Sequence, residues 1–137
     1  MDGDDLALIR RSFDELWPVS RRFAVLFYER LFEIAPETRL LFRGDLDRQR
    51  SRLLTMITAM VGSLDQPEVF ESIVADITLR HPTYGVQPEH YPPFEDALIW
   101  SLAETLGSTF TPTTEAAWRA LFQTLNPGPM ERAAAEA

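Results

Sequence analysis

The sequence predicts an all-α protein. Three observations carry this. Apolar residues recur three and four apart through most of the chain, proline and glycine fall between the periodic segments, and no stretch alternates apolar with polar residues as a half-buried strand would. The length, 137 residues, suits one domain around a single core, so the expectation is one domain over 1–137 with about six to eight helices.

A first helix is expected from about Asp4 to Trp17, with Leu6, Ile9, Phe13 and Leu16 on one stripe and Pro18 ending or bending it. A second runs from about Ser20 to Ala35 and carries Phe23, Phe27, Tyr28, Leu31 and Phe32. Pro36 opens a short third helix that closes at Phe42, and a turn follows over Arg43 to Asp47. A fourth begins near Asp45 and reaches Leu64. Its stripe is Leu46, Gln49, Leu53, Ile57, Met60, Val61 and Leu64, with Gln49 its one polar member.

Asp65-Gln66-Pro67-Glu68 has the form of an N-cap, a first-turn proline and a capping glutamate. The helix it opens bears Phe70, Val74, Ile77 and His81. Pro82 disfavours helical geometry at the residue before it, so this helix is expected to stop with His81 on its last turn, before a loop over Thr83 to Pro88. The next helix, about Glu89 to Leu106, tolerates Pro92 and Pro93 in its first turn and carries Tyr91, Phe94, Leu98, Ile99, Leu102 and Leu106. Thr111-Pro112 caps a last helix that buries Trp118, Leu121, Phe122 and Leu125. Asn126-Pro127-Gly128-Pro129 breaks it, and Met130 to Ala137 is expected to fray.

Composition excludes several kinds of function. Apolar residues make up 45%, but charges interrupt them well short of the ~20 residues a membrane span requires. The acidic start, Met1 to Asp5, is no signal sequence, so the expected location is the cytoplasm. With no cysteine there are no disulfides, thiolate metal sites or cysteine nucleophiles. The net charge of −8, with all 13 basic residues arginine and scattered along the helices, argues against nucleic acid and anionic membranes as partners.

Only two histidines, His81 and His90, are available to a metal. That is too few for the usual zinc site built from protein alone, and neither His-x-x-x-His nor Glu-x-x-His occurs. Haem iron is different, because the porphyrin supplies four nitrogens and the protein need add one imidazole. A lone histidine on an apolar helix face is more often a satisfied core residue, so His81 needs supporting residues. Tyr28 and Gln49 place polar tips among apolar neighbours. Each has an ordinary reading, a tyrosine at a core edge and a glutamine on a solvated flank; together they suggest a polar patch facing a cavity. Donors of this kind stabilise a polarised diatomic ligand in a low-dielectric pocket by about 1.5–3 kcal/mol. Phe42, Leu53 and Met56 are candidates to pack a porphyrin or, equally, ordinary core residues.

The residues form several separated motifs: Leu26-Phe27-Tyr28-Glu29-Arg30-Leu31-Phe32, then Pro36-Glu37-Thr38-Arg39 with Leu41-Phe42, then Gln49-x-x-Arg52-Leu53, then Arg80-His81-x-x-Tyr84-Gly85-Val86-x-Pro88-Glu89-His90-Tyr91. In this order they resemble the globins, specifically bacterial single-domain globins similar to the haem domain of flavohaemoglobins. The resemblance runs from about Leu6 to Leu125. It implies haem b (iron protoporphyrin IX) as cofactor, His81 as the proximal iron ligand, and Tyr28 with Gln49 as the distal hydrogen-bonding pair. It also implies that Leu53 closes the distal pocket, that Phe42 stacks on the haem, and that Tyr91 supports the proximal histidine. Met56, Ile77 and Val86 complete the expected haem contacts. Arg48, Arg50 and Arg52 are exposed-face arginines that either steer haem propionates or a reductase or simply form a solvated face; Arg52 is the one singled out.

The flavohaemoglobin pattern ends its proximal relay on a glutamate late in the last helix. Here Pro127 and Pro129 interrupt that helix, and neither Glu131 nor Glu136 falls at the matching place, so the resemblance carries the relay only through His81 and Tyr91. A flavin or nicotinamide domain is not expected in a chain of this length, so sustained turnover would call for an external reductase. Three functions remain open on this reading. One is reversible binding of oxygen, and of nitric oxide or carbon monoxide, in an oxygen-transport role. The second is an enzyme, a nitric oxide dioxygenase or a weak peroxidase served by a separate reductase. The third is a haem-free helical sensor or interaction domain.

Overall fold

The computed structural model describes residues 3–41, 45–80 and 91–124. Among the described residues six α-helices carry the fold: α1 (Gly3–Leu16), α2 (Ser20–Ile34), α3 (Leu46–Gly62), α4 (Pro67–Arg80), α5 (Tyr91–Leu106) and α6 (Pro112–Gln123). Tight 3-10 turns at Trp17–Val19, Pro36–Leu41 and Gly107–Thr109 join or extend them, and no strand occurs among the described residues. The all-α class expected from periodicity is therefore the one found among the described residues.

Local chemistry accounts for most helix ends. Pro18 sits in the turn between α1 and α2, where its missing N–H costs no helical hydrogen bond. Asp45 caps α3 by accepting from the Asp47 amide at 2.9 Å, and Thr111 caps α6 by accepting from the Thr114 amide at 3.2 Å, with Pro112 just inside. Gly107 follows α5 at φ +63, a left-handed conformation that favours glycine.

Two further starts show local detail. The short helix opened by Pro36 is a 3-10 helix, in which the amide and hydroxyl of Thr38 both donate to the Ala35 carbonyl, at 3.0 and 2.7 Å, and tighten the turn. α4 opens after Gln66, whose carbonyl accepts from the Phe70 amide at 2.9 Å, while the carboxylate of Asp65 is engaged by Arg10 at 3.0 Å. The expected features at Arg43, Gly44, Thr83 to Pro88, His90 and the chain from Leu125 onward lie outside the described residues.

α2 packs most extensively on α5, α1 lies against α6, and α3 also packs against α2. Phe23, Leu31, Leu102, Trp118 and Leu121 are almost fully buried where these helices meet. One polar chain threads this core. The Trp118 indole donates to the Ser12 hydroxyl at 2.7 Å, and that hydroxyl donates to the Leu8 carbonyl at 2.7 Å, tying α6 to α1. At the surface, Arg119 of α6 reaches Glu95 of α5 at 2.8 Å and Glu115 at 3.3 Å. Partial burial disfavours its charge, but the hydrogen bonds to both carboxylates outweigh this and raise its pKa. No helix among the described residues is long and apolar enough to cross a membrane.

Candidate functional site

The site begins where α2 meets α3. Tyr28 lies on the inner face of α2, 4% exposed, with its ring edge-on to Phe27 at 4.7 Å and tilted against Phe32 at 6.0 Å. Its hydroxyl donates to the main-chain carbonyl of Gln49 on α3 at 3.1 Å. The structure thus brings the two expected distal residues together, through the backbone oxygen of Gln49. That partner had no signature in the sequence, because every residue carries a carbonyl.

Successive members of one α3 face follow from Gln49 at helical spacing. Leu53 is buried, Met56 half-buried and Met60 fully buried. α4 packs against α3 and leaves Phe70, Ile73 and Val74 half-buried along the edge of the core. Tyr91, at the start of α5, is buried at 8% exposure. Burial raises the pKa of both phenols and keeps them protonated.

The arginines of α3 divide. Arg52 is exposed, as expected. Arg50 departs from the expected exposed face: it is half-buried, its guanidinium holds Asp47 at 2.7 Å, and its Nε is buried without a hydrogen-bond partner. Both arginines are near enough to Tyr28 to act on it electrostatically, opposing the effect of burial. The Asp47, Arg50 spacing on α3 was the available signal that Arg50 turns back along its own helix.

These residues fit a haem. Two buried neutral hydroxyls and half-covered apolar side chains of α3 and α4 are the chemistry that a flat, mostly apolar cofactor with one polar ligand face calls for. His81, Phe42 and Val86 lie outside the described residues, and of Ile77 only the backbone, within α4, is described. α4 is described as far as Arg80, the residue before His81. Among the described residues, no group of three or more His, Cys, Asp or Glu side chains is placed to hold a metal ion by itself.

The buried Tyr28 phenol has a consequence for pH dependence. Desolvation raises its pKa above the ordinary value of 10.0, so the folded state holds the proton more tightly than the unfolded chain. Its contribution to stability is complete below the unfolded pKa and is lost as pH rises above it. Urea midpoints measured from about pH 8 to pH 11 should therefore fall on the alkaline side, and fall less steeply in Tyr28→Phe. Identical slopes in the two proteins would contradict this.

Three comparisons with known proteins bear on the site. The globin family profile matches residues 25–128. The flavohemoprotein of Rhizobium meliloti is 30% identical over 95 residues, covering 67% of this chain and 24% of that protein. An uncharacterized globin-like protein of Aquifex aeolicus is 32% identical over 100 residues, covering 72% of each chain. Among solved structures, an engineered carbene transferase made from a Rhodothermus marinus protein designated a nitric oxide dioxygenase superposes with a TM-score of 0.81. It is 30% identical, with 91% of this chain and 87% of that one covered. The chain spans only 24% and 30% of the length of the first two flavohemoproteins it matches.

Proposed function

The chain belongs to the globin family, and on that footing we propose that it holds haem b through His81 and binds oxygen and other diatomic ligands reversibly, in the cytoplasm. When bound, the haem supplies the iron at which such a ligand sits. The observation that carries the reading is Tyr28. It is a buried, protonated phenol anchored on the main chain of α3 at Gln49, one turn before the buried Leu53. A polar hydrogen held among the Phe27 and Phe32 rings suits a small polarisable ligand, and the same hydroxyl also serves the fold by bonding the α3 main chain. Met56 and Ile77 would pack the porphyrin along with Phe42 and Val86. Tyr91 would support His81 from α5, and Arg52 would sit at the solvent edge near the propionates.

A second reading, a nitric oxide dioxygenase, is favoured by the designation of the Rhodothermus marinus neighbour and by the flavohemoprotein relatives. It uses the same residues and adds a reductase as partner. Sustained nitric oxide consumption with an added flavin reductase and nicotinamide would separate it from reversible binding.

The deciding experiment is titration of the purified protein with hemin, recorded as ferric, dithionite-reduced and carbon monoxide forms. One equivalent bound, with a histidine-ligated carbon monoxide spectrum, is expected. No stoichiometric uptake would overturn the haem reading and leave a helical sensor or interaction domain.

A further inference from the structure

Arg50 is a cation that the proposed function leaves without a role. Its side chain leaves α3 directly after Gln49, whose carbonyl accepts from Tyr28, and only 26% of that side chain is exposed. Nη1 donates to the Asp47 carboxylate at 2.7 Å. Nε, at the stem of the same guanidinium, is buried with no hydrogen-bond partner, alone among the buried side-chain nitrogens and oxygens of the described residues. A guanidinium does not lose its proton in a protein, so the charge stays. A buried donor of a charged group carries its full desolvation penalty until an acceptor meets it, and an anion is the acceptor that offsets most of it.

Asp47 neutralises Arg50 only in part. Its carboxylate is 85% exposed and screened by solvent, whereas the buried end of the cation lies in a medium of lower dielectric. Asp45, the other acid at the start of α3, is exposed and accepts from the Asp47 amide. Positive potential therefore reaches the junction of α2 and α3, where Arg50 opposes the effect of burial on Tyr28 more strongly than Arg52 does. A chain of net charge −8 thus places a weakly neutralised cation beside its proposed pocket.

We propose that Arg50 makes this junction a site for small inorganic anions, so that the ferric, haem-loaded protein binds monovalent anions such as nitrite, azide or fluoride. The inference rests on the haem reading and extends it to a ligand class and an oxidation state that reversible oxygen binding does not use. Arg50 sets this specificity by its charge.

The test titrates the hemin-loaded ferric protein with sodium azide and sodium fluoride at constant ionic strength, and takes carbon monoxide binding to the ferrous form as the neutral comparison. In Arg50→Gln the azide and fluoride dissociation constants are expected to rise about tenfold, while carbon monoxide affinity changes by less than about twofold. Asp47→Asn removes the counter-charge and keeps Arg50, so it is expected to lower the anion dissociation constants about threefold; this opposite change decides the matter if Arg50→Gln folds poorly. Arg48→Gln makes the same change in net charge at an exposed position of α3 and is expected to alter anion affinity by less than about twofold. Anion affinities unchanged in Arg50→Gln or in Asp47→Asn, or lowered as much by Arg48→Gln, would overturn the inference alone. Haem lost more readily from Arg50→Gln with anion affinity intact would also overturn it, and would assign Arg50 to a haem carboxylate. Failure of the wild type to take up hemin stoichiometrically would overturn the haem reading and this inference with it.

Discussion

His81→Ala is expected to lose stoichiometric haem binding, while His90→Ala keeps the ligand-dependent spectrum of the wild type. The chain has two histidines and no cysteine, so the proposed haem has few axial ligands to draw on. The distal candidates gather on α2 and α3 around Tyr28, Gln49 and Leu53, and α4 carries the chain to Arg80, immediately before His81. Without the His81 imidazole the chain would hold a porphyrin chiefly through apolar side chains and would offer its iron no strong protein ligand. Hemin titration of both variants, followed through the Soret band of the reduced and carbon monoxide forms, checks the assignment. Loss of the histidine-ligated spectrum in His90→Ala with retention in His81→Ala would reverse it.

Trp118→Ala is expected to be the most destabilising single change outside the pocket, by about 3–5 kcal/mol. The indole is 1% exposed, lies 5.6 Å from the Phe122 ring, and is the donor that ties α6 to α1 through Ser12. Truncation opens a large cavity at the junction of those helices and removes the inter-helix hydrogen bond together. Against a typical total stability of about 5–15 kcal/mol, the variant loses a large share of its margin. Trp118→Phe largely separates the two effects, since it keeps most of the apolar volume and removes the N–H, at a cost of about 1–2 kcal/mol. Urea unfolding of both variants measures the difference. A Trp118→Ala midpoint close to that of the wild type would show that the α1 and α6 contact contributes little.

The legible features were those that depend on near neighbours in the chain. The stripe of α2 was readable because Phe23, Phe27 and Leu31 repeat one helical turn apart, and all three are buried. Asp45 and Thr111 were readable as start points because a capping side chain bonds an amide two or three residues on. The opening of α4 was readable from Asp65-Gln66-Pro67-Glu68, with Pro67 in the first turn, but only the fold shows that Arg10 of α1 engages the Asp65 carboxylate. Arg50 likewise looked like a surface charge until the packing of α3 buried its Nε.

Tyr28 and Gln49 could be paired from the sequence as polar residues on apolar stripes, but the manner of their meeting could not. The hydroxyl meets a backbone oxygen 21 positions away, and a main-chain carbonyl has the same identity at every residue. The Ser12 to Trp118 bond spans 106 positions and was invisible for a similar reason, since a serine and a tryptophan have no periodic relation until α1 and α6 pack.

The sequence by itself determined the helical class, the placing of most helices and the scarcity of metal ligands, because these follow from residue types and from spacings of a few residues. The tertiary structure alone decided which buried donors meet which acceptors, which arginine of α3 becomes half-buried, and which helices share the interior. Those outcomes depend on the relative placement of distant helices, which burial of their combined apolar faces settles and local spacing does not.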